Sequence, residues 1–222
     1  ATRECPVLFV PEVARSLLGH LVGAVSGGAL YRRASFLLDH AGKAVLPAWM
    51  SLREEPHLRR GHGSGAFDSE GVATVASDLV RDGVLKRYVL GSYSARKLGL
   101  ESTGNAGGIH NLVANANAGD FADLVSRMGS GLVVTELMGQ GVNLVTGDYS
   151  RGAAGFWVED GAIAYPVHEI TVAGNLKDMF LGITALSRHI GAIPSHEETI
   201  ISQLARTIFG DGNILYLLVI AG

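Results

Sequence analysis

The sequence predicts an α+β domain whose sheet is mainly antiparallel or mixed, built from hairpins, with a few packed helices. Asp82-Gly83 and Asp160-Gly161 each separate two apolar runs, and Asp-Gly in that setting is a strong hairpin signal. The 30 glycines among 222 residues follow no period, which is typical of short elements joined by tight turns. Strands and helices do not alternate regularly along the chain, so a doubly wound parallel sheet is not predicted.

The first predicted helix follows a strand-like run at 5–10 and begins at Pro11, since proline is pre-shaped for the first turn of a helix. Its apolar residues recur at helical spacing and predict one broad buried stripe: Val13, Ala14, Leu17, Leu18, Leu21, Val22 and Val25. The opposite face is small and polar, which favours close approach of another group to the backbone. That face comprises Arg15, Ser16, Gly19, His20 and Gly23. Gly27-Gly28 is predicted to end the helix.

The middle of the chain predicts two hairpins, a loop and a short helix. Turn residues between short apolar runs predict one hairpin over 36–46 and another over 72–90. Residues 51–65 are polar and rich in glycine, which indicates a mobile loop. Ser92 is predicted to cap a short helix that Gly99 closes.

The remaining segments predict further strands and three helices. The strands are predicted at 112–114, 132–137, 142–146, 153–158, 162–165, 168–172 and 214–220. The helices are predicted from Asp120 to about Met128, from Asn175 to about Leu186, and from the capping-box pattern Ser195-x-x-Glu198 to about Phe209.

Composition excludes several classes of function. A net charge of −3 provides no basic surface for nucleic acid. The single cysteine, Cys5, cannot form an internal disulfide, which fits a reducing compartment. The longest apolar run, 214–221, is too short for a membrane-spanning helix. We therefore expect a soluble, cytoplasmic protein, and the start at Ala1 indicates a fragment of a longer polypeptide.

Common catalytic motifs are missing from the residue pattern. The dipeptides His168-Glu169 and His196-Glu197 lack a following histidine at the spacing that places two zinc ligands on one helix. The glycine-rich runs 61–65 and 103–108 fit neither the dinucleotide fingerprint nor a P-loop. No Gly-x-Ser-x-Gly nucleophile motif is present, and Cys5 lies in an apolar strand that favours an inert thiol.

The polar segment 147–152 leaves two interpretations open. It carries carboxylate, hydroxyl and guanidinium groups between two predicted strands. Asp148 and Arg151 would orient the carboxylate or backbone of a peptide in one interpretation. In the other, the two side chains simply pair across a turn.

Six long runs resemble the TldD/PmbA family, and in particular the C-terminal domain of its PmbA (TldE) branch. They are 18–28, 93–100, 102–111, 135–142, 147–158 and 165–176. The resemblance covers residues 1 to about 186 and implies that 1–222 is this domain, with 187–222 atypical and the N-terminal domain of the family absent from the chain.

The resemblance implies a two-subunit cytosolic peptidase. A TldD-type subunit carries zinc through His-Glu-x-x-x-His and a distant cysteine, and a PmbA-type subunit lacks those groups and completes the substrate chamber. Substrates are short peptides or unfolded polypeptides, and members of the family are also named modulators of DNA gyrase. For this chain the resemblance implies a non-catalytic subunit with a TldD-like partner, or a homodimer, and no contact with nucleic acid or membrane.

Carried over residue by residue, only His20 matches the zinc motif. Arg15 stands where the motif has its first histidine, and Ser16 stands where it has its glutamate. A permanent cation at Arg15 repels zinc, and Ser16 cannot act as the water-activating base. We therefore expect no catalytic residue and no bound zinc in this chain, with zinc held by the TldD-type partner.

The side chains expected to contact substrate or partner are His20, His110, Asp148 and Arg151. The alternatives are a self-sufficient zinc metallopeptidase, in which His20 is joined by other histidines such as His110, and a regulatory protein that acts on DNA gyrase.

Overall fold

Two β-sheets and five helices organise the part of the chain that the computed structural model describes, residues 2–189 and 214–220. The elements follow in the order β1 Pro6–Phe9, α1 Pro11–Ala24, α2 Gly27–Tyr31, β2 Leu52–Glu54, β3 Ser77–Arg81, β4 Val84–Leu85, α3 Ser92–Leu98, β5 Leu112–Ala114, α4 Phe121–Met128, β6 Gly131–Met138, β7 Asp148–Glu159, β8 Ala162–Asn175, α5 Leu176–Leu181, β9 Ile183–His189 and β10 Ile214–Ile220.

The larger sheet has six strands in the order β8-β7-β6-β1-β10-β9. Strand β1 pairs in parallel with β6, and every other pair in this sheet is antiparallel. The smaller sheet has the order β4-β3-β2-β5 and is antiparallel throughout. The predicted α+β class with a mainly antiparallel, mixed sheet is therefore confirmed.

Helix α1 follows β1 directly and lies against β6 and β10 of the larger sheet. Its predicted apolar stripe is buried, with Leu17 and Leu21 almost wholly removed from solvent. Each such leucine contributes roughly 1.5–3 kcal/mol of hydrophobic free energy. The opposite face behaves as predicted, since Arg15 and Gly19 are exposed and His20 is half-buried. The helix thus holds His20 at the border between core and solvent.

The end of α1 differs from the prediction. Gly27-Gly28 does not terminate this helix but begins the short helix α2, whose N-cap is Ser26. The Ser26 side chain accepts a hydrogen bond from the Ala29 amide. A Cβ atom at position 27 would overlap the Ser94 hydroxyl, so the glycine there permits α2 to pack on α3.

Two predicted strand regions are wrong. Residues 36–46 form turns instead of a hairpin. The Val45 and Leu46 amides donate to the carbonyl of Gly83, which is distant in sequence, and not to a partner strand within 36–46. Residues 142–146 do not form a strand either. Asn143 organises a turn there, with its side chain accepting from the Val145 amide and its carbonyl from the Gly147 amide.

The hairpin at Asp160-Gly161 is confirmed and is longer than predicted. Strand β7 begins at Asp148, so most of the segment interpreted as a loop at 147–152 is strand. The separate strands predicted at 162–165 and 168–172 are one strand, β8, whose pairing with β7 shifts register between Ala153 and Gly155.

Helix α4 has the predicted Asp120 cap, and strands β5, β6 and β10 lie where they are predicted. The hairpin at Asp82-Gly83 is present with shorter strands than predicted. The helix capped by Asn175 ends at Leu181 instead of about Leu186, because the chain continues as β9. The helix predicted at 195–209 lies outside the described residues.

None of the described helices has both the length and the apolar character needed to cross a bilayer.

Candidate functional site

One polar cluster lies where the small-and-polar face of α1 meets the start of β7. It contains His20 from the helix, with Tyr149 and Arg151 from the strand. Tyr149 and Arg151 are two residues apart on a β-strand and therefore project to the same face. The imidazole of His20 and the phenol ring of Tyr149 meet edge to face, with ring centroids 6.1 Å apart and an interplanar angle of 68°. We call these three residues the His20 cluster.

Each member of the His20 cluster has a buried polar atom that forms no hydrogen bond within the described residues. These atoms are Nε2 of His20, the hydroxyl oxygen of Tyr149 and Nε of Arg151. The Tyr149 side chain is only 2% exposed. The Arg151 guanidinium lies near the phenol oxygen of Tyr149 and opposes the rise in its pKa, and Nη2 of Arg151 donates a long hydrogen bond, 3.4 Å, to the Leu137 carbonyl. Burying a polar atom without a hydrogen bond costs free energy of folding, so three such atoms in one cluster call for an explanation.

The cluster carries one positive charge. Burial, and then the charge of Arg151, hold the pKa of His20 below its ordinary value. The imidazole is therefore neutral at pH 7. Burial raises the pKa of Tyr149, although Arg151 opposes the change, so the phenol keeps its proton. Within the described residues Arg151 forms no ion pair with a carboxylate.

Asp148 lies outside the His20 cluster. It is three residues from Arg151 on the strand, so the two side chains project to opposite faces. Its carboxylate accepts a 2.6 Å hydrogen bond from the Thr146 hydroxyl and one of 3.3 Å from the Asn175 amide. Asn175 in turn caps α5 through the Lys177 amide. Asp148 thus supports the junction of β7, β8 and α5, and the interpretation in which it pairs with Arg151 is wrong.

His110 belongs to a second polar network, centred on the carboxylate of Glu54 at the end of β2. The backbone N–H and Nδ1 of His110 lie 2.7 and 2.8 Å from Oε1 of Glu54. The Asn105 amide donates to the same oxygen at 2.8 Å, and the Arg87 guanidinium pairs with the other. Glu54 is only 2% exposed. This network ties the glycine-rich loop 103–108 to the smaller sheet.

The backbone of the loop 103–108 is also hydrogen-bonded to the Asp68 carboxylate. One carboxylate oxygen of Asp68 accepts from the Ala106 amide, and the other accepts from the Glu70 and Val72 amides, all at 2.9 Å. Two open cavities of about 350 and 310 Å³ flank the loop. Gly107 and Gly108 adopt φ values of 101° and 119°, which side chains with a Cβ rarely tolerate. The loop is therefore held in one conformation by buried carboxylates.

Sequence reasoning selected four contact residues, and the structure brings only two of them, His20 and Arg151, into one cluster. It missed Tyr149 and Glu54. Tyr149 can be selected once the segment is recognised as a strand, because residues two apart on a strand, such as Tyr149 and Arg151, project to the same face. Glu54 carries no sequence signal that distinguishes it from the partly exposed Glu55 beside it.

The acid stability of the protein should depend on Glu54. Burial would raise the pKa of Glu54, but the hydrogen bonds from His110 and Asn105 and the charge of Arg87 together hold it below its ordinary value. A carboxyl group with a depressed folded pKa stabilises the fold above its unfolded pKa, and this contribution is lost as pH falls through the folded pKa. We expect the free energy of unfolding to fall less steeply below about pH 4.5 in Glu54→Gln than in the parent protein. Urea titrations between pH 3 and 7 test this, and parallel curves would contradict it.

Comparison with known proteins places these features in a wider group. The sequence profile of the PmbA/TldA metallopeptidase C-terminal domain matches residues 2–205. The metalloprotease PmbA of Escherichia coli O157:H7 is 57% identical over 190 residues, which cover 86% of this chain and 42% of that protein. The PmbA homologue of Haemophilus influenzae is 55% identical over 191 residues, again 86% of this chain and 42% of that protein. The chain therefore spans less than half the length of these relatives.

Solved structures share the fold. A protein of Bacteroides thetaiotaomicron named as a modulator of DNA gyrase superposes with a TM-score of 0.82 at 28% identity, covering 98% of this chain and 46% of that one. A Thermotoga maritima protein with a similar name gives 0.81 at 29% identity, with coverage of 99% and 49%. TldE of Thermococcus kodakarensis gives 0.78 at 23% identity, covering 98% and 49%, and supports the fold alone.

Proposed function

The chain belongs to the PmbA/TldD metallopeptidase family, and from that premise we propose that it is the C-terminal domain of a non-catalytic, PmbA/TldE-like subunit. In this proposal the subunit works in the cytosol with a TldD-like partner that carries zinc. The complex degrades or processes peptides and unfolded polypeptides, and this chain completes the substrate chamber.

The observation that carries the proposal is the chemistry of α1 at positions 15, 16 and 20. Arg15 is exposed and permanently charged, and the hydroxyl of Ser16 donates a 2.8 Å hydrogen bond to the Val13 carbonyl. The Ser16 hydroxyl is thus hydrogen-bonded within its own helix, and it provides no carboxylate base to activate a water molecule. A hydrolytic metal site needs a base beside the bound water.

The residues around His20 do not fit a zinc ion. Zinc sites use three or four converging donors from cysteine, histidine, aspartate or glutamate. The free Nε2 of His20 is one such donor, but its neighbours in the His20 cluster are a phenol and a guanidinium cation. Within the described part of the chain no three side chains of the required types are grouped to hold a metal. His110, the histidine suggested as a second ligand, has its Nδ1 bound to Glu54.

A second candidate, the self-sufficient metallopeptidase, is favoured by the names of the relatives, which are called metalloproteases without reference to a partner. The unpaired Nε2 of His20 is the one donor that such an enzyme would use. A third, regulation of DNA gyrase, is favoured by the names of two structural relatives. The net charge of −3 argues against direct contact with DNA in that case, though not against contact with another protein.

Metal content and partner dependence separate these candidates. We expect the purified protein to hold substoichiometric zinc that does not change in His20→Ala or in the control His168→Ala, whose histidine is exposed on β8. Peptide cleavage should require a co-purifying TldD-like subunit. The proposal would be contradicted if the purified protein held stoichiometric zinc that is lost in His20→Ala. It would also be contradicted if this protein cleaved peptides without the partner.

A further inference from the structure

We propose that the His20 cluster is a binding site for the carboxylate group of a peptide. The inference rests on the proposed function, because it assumes that this domain lines a chamber in which peptides are held. It assigns to Arg151 the role of charge partner, and to Tyr149 and His20 the role of hydrogen-bonding partners. None of these residues is needed for bond cleavage.

Charge is the first argument. A guanidinium that is partly removed from water is costly unless an anion compensates it. Among the described residues no carboxylate forms an ion pair with Arg151, and its guanidinium donates a hydrogen bond to the backbone carbonyl of Leu137. Among the arginines whose burial the structure describes, the other one of comparable burial is Arg87, and it is compensated by Glu54. Arg151 therefore lacks the anion that the same protein provides to Arg87.

Hydrogen-bonding capacity is the second argument. A carboxylate offers about four acceptor sites and accepts the forked donors of arginine in pairs. The cluster supplies unpaired donors on Arg151 and Tyr149, and a third on Nε2 of His20 in one of its two tautomers. Tyr149 is the strongest of these indications, since its side chain is almost wholly buried while its O–H proton has no acceptor within the described residues.

Access is the third argument. His20 and Arg151 are each partly exposed, so the cluster borders solvent. Its three unpaired atoms are themselves buried, and a carboxylate reaches them only when these two side chains turn outward. Gly19, beside His20, is exposed and has open space where a side chain would project. The small-and-polar face of α1 thus leaves room for a peptide backbone next to the cluster.

A single negative charge matches a site with a single cation, which favours a carboxylate over a phosphate. Carboxylates of peptides come from two sources, the C-terminus and the side chains of aspartate and glutamate. The chemistry of recognition is the same for both, so the experiment must separate them.

Three N-terminally labelled hexapeptides provide the test, measured by fluorescence anisotropy with the full chain and without a catalytic partner. One has a neutral sequence and a free C-terminus, the second is the same sequence as the amide, and the third is the amide with one central aspartate. We expect the free acid, the aspartate peptide, or both to bind about tenfold or more tightly than the neutral amide. Preference for the first or the third identifies the source of the carboxylate.

Variants tie the preference to the cluster. Arg151→Gln should abolish the preference, Arg151→Lys should retain part of it, and Tyr149→Phe should weaken it. The matched control is Arg127→Gln, which removes an exposed arginine that pairs with Asp123 on α4 and should leave the preference intact. Thermal unfolding of each variant verifies the fold, and Tyr149→Phe serves if Arg151→Gln does not fold.

Equal binding of all three peptides, or no binding of any, would overturn the carboxylate site, as would a preference that persists in Arg151→Gln. Those outcomes leave the proposed function to be judged separately by zinc content and partner-dependent cleavage.

Discussion

Replacement of Glu54 by alanine is expected to lower the free energy of unfolding by about 3–5 kcal/mol, because it leaves the charge of Arg87 buried without a partner. The carboxylate also accepts hydrogen bonds from the His110 backbone and ring and from the Asn105 amide. The His110 donors would be left without this acceptor beneath the loop 103–108, while the Asn105 amide would keep only its 3.2 Å hydrogen bond to the Gly108 carbonyl. Equilibrium denaturation in urea at pH 7 measures the effect.

The neighbouring residue provides the control for Glu54. Glu55 carries the same side chain one position along, but it is partly exposed and pairs with the exposed Arg53. Exposed ion pairs contribute roughly 0–1 kcal/mol, so Glu55→Ala should change the free energy of unfolding by no more than that. If the two alanine variants proved equally stable, the Glu54 network would contribute no more to the stability of the fold than an exposed ion pair. Hydrogen exchange in 103–110 should also accelerate in Glu54→Ala alone.

The elements that could be predicted are those whose signal is local. Helix α1 has proline at its start and an apolar stripe at helical spacing, and the Asp160-Gly161 hairpin has its turn residues in sequence. The segment 36–46 has similar local signals, yet its backbone amides bond to 83–85, which lie distant in sequence. The local pattern of apolar and turn residues carries no information about hydrogen-bond partners that are this distant in sequence. Strand β7 was predicted to start too late because its first residues are polar and glycine-rich.

The candidate site was half predictable for the same reason. His20 could be selected from its place on the polar face of α1, and Arg151 from the chemistry of its segment. Their proximity could not be predicted, because it depends on α1 lying across the larger sheet at the start of β7. Glu54, the centre of the other polar network, could not be selected at all. Its importance comes from burial and from partners more than thirty residues away, Arg87, Asn105 and His110.

Replacement of Gly155 by alanine is expected to lower the free energy of unfolding by about 3 kcal/mol or more, because the added methyl group has no space. An ideal Cβ at Gly155 would overlap the carbonyl oxygen of Val133 and lie 3.1 Å from Cα of Val134. Both contacts are with the backbone of β6, which cannot turn aside as a flexible side chain can. The pairings of β7 with β6 and with β8 both shift register at this point, so the close approach occurs where the strand bends.

Gly152 on the same strand is the matched control for Gly155. A Cβ at Gly152 meets the nearest atom, Cβ of Met138, at 3.5 Å, which is ordinary van der Waals contact. Gly152→Ala should therefore be neutral or stabilising by up to about 1 kcal/mol, since alanine loses less backbone entropy than glycine when a strand forms. Both positions lack a positive φ, so the comparison isolates the steric effect of the Val133 carbonyl. Thermal and urea denaturation of the two variants should diverge by several kcal/mol, and similar stabilities would show that β6 and β7 separate at little cost.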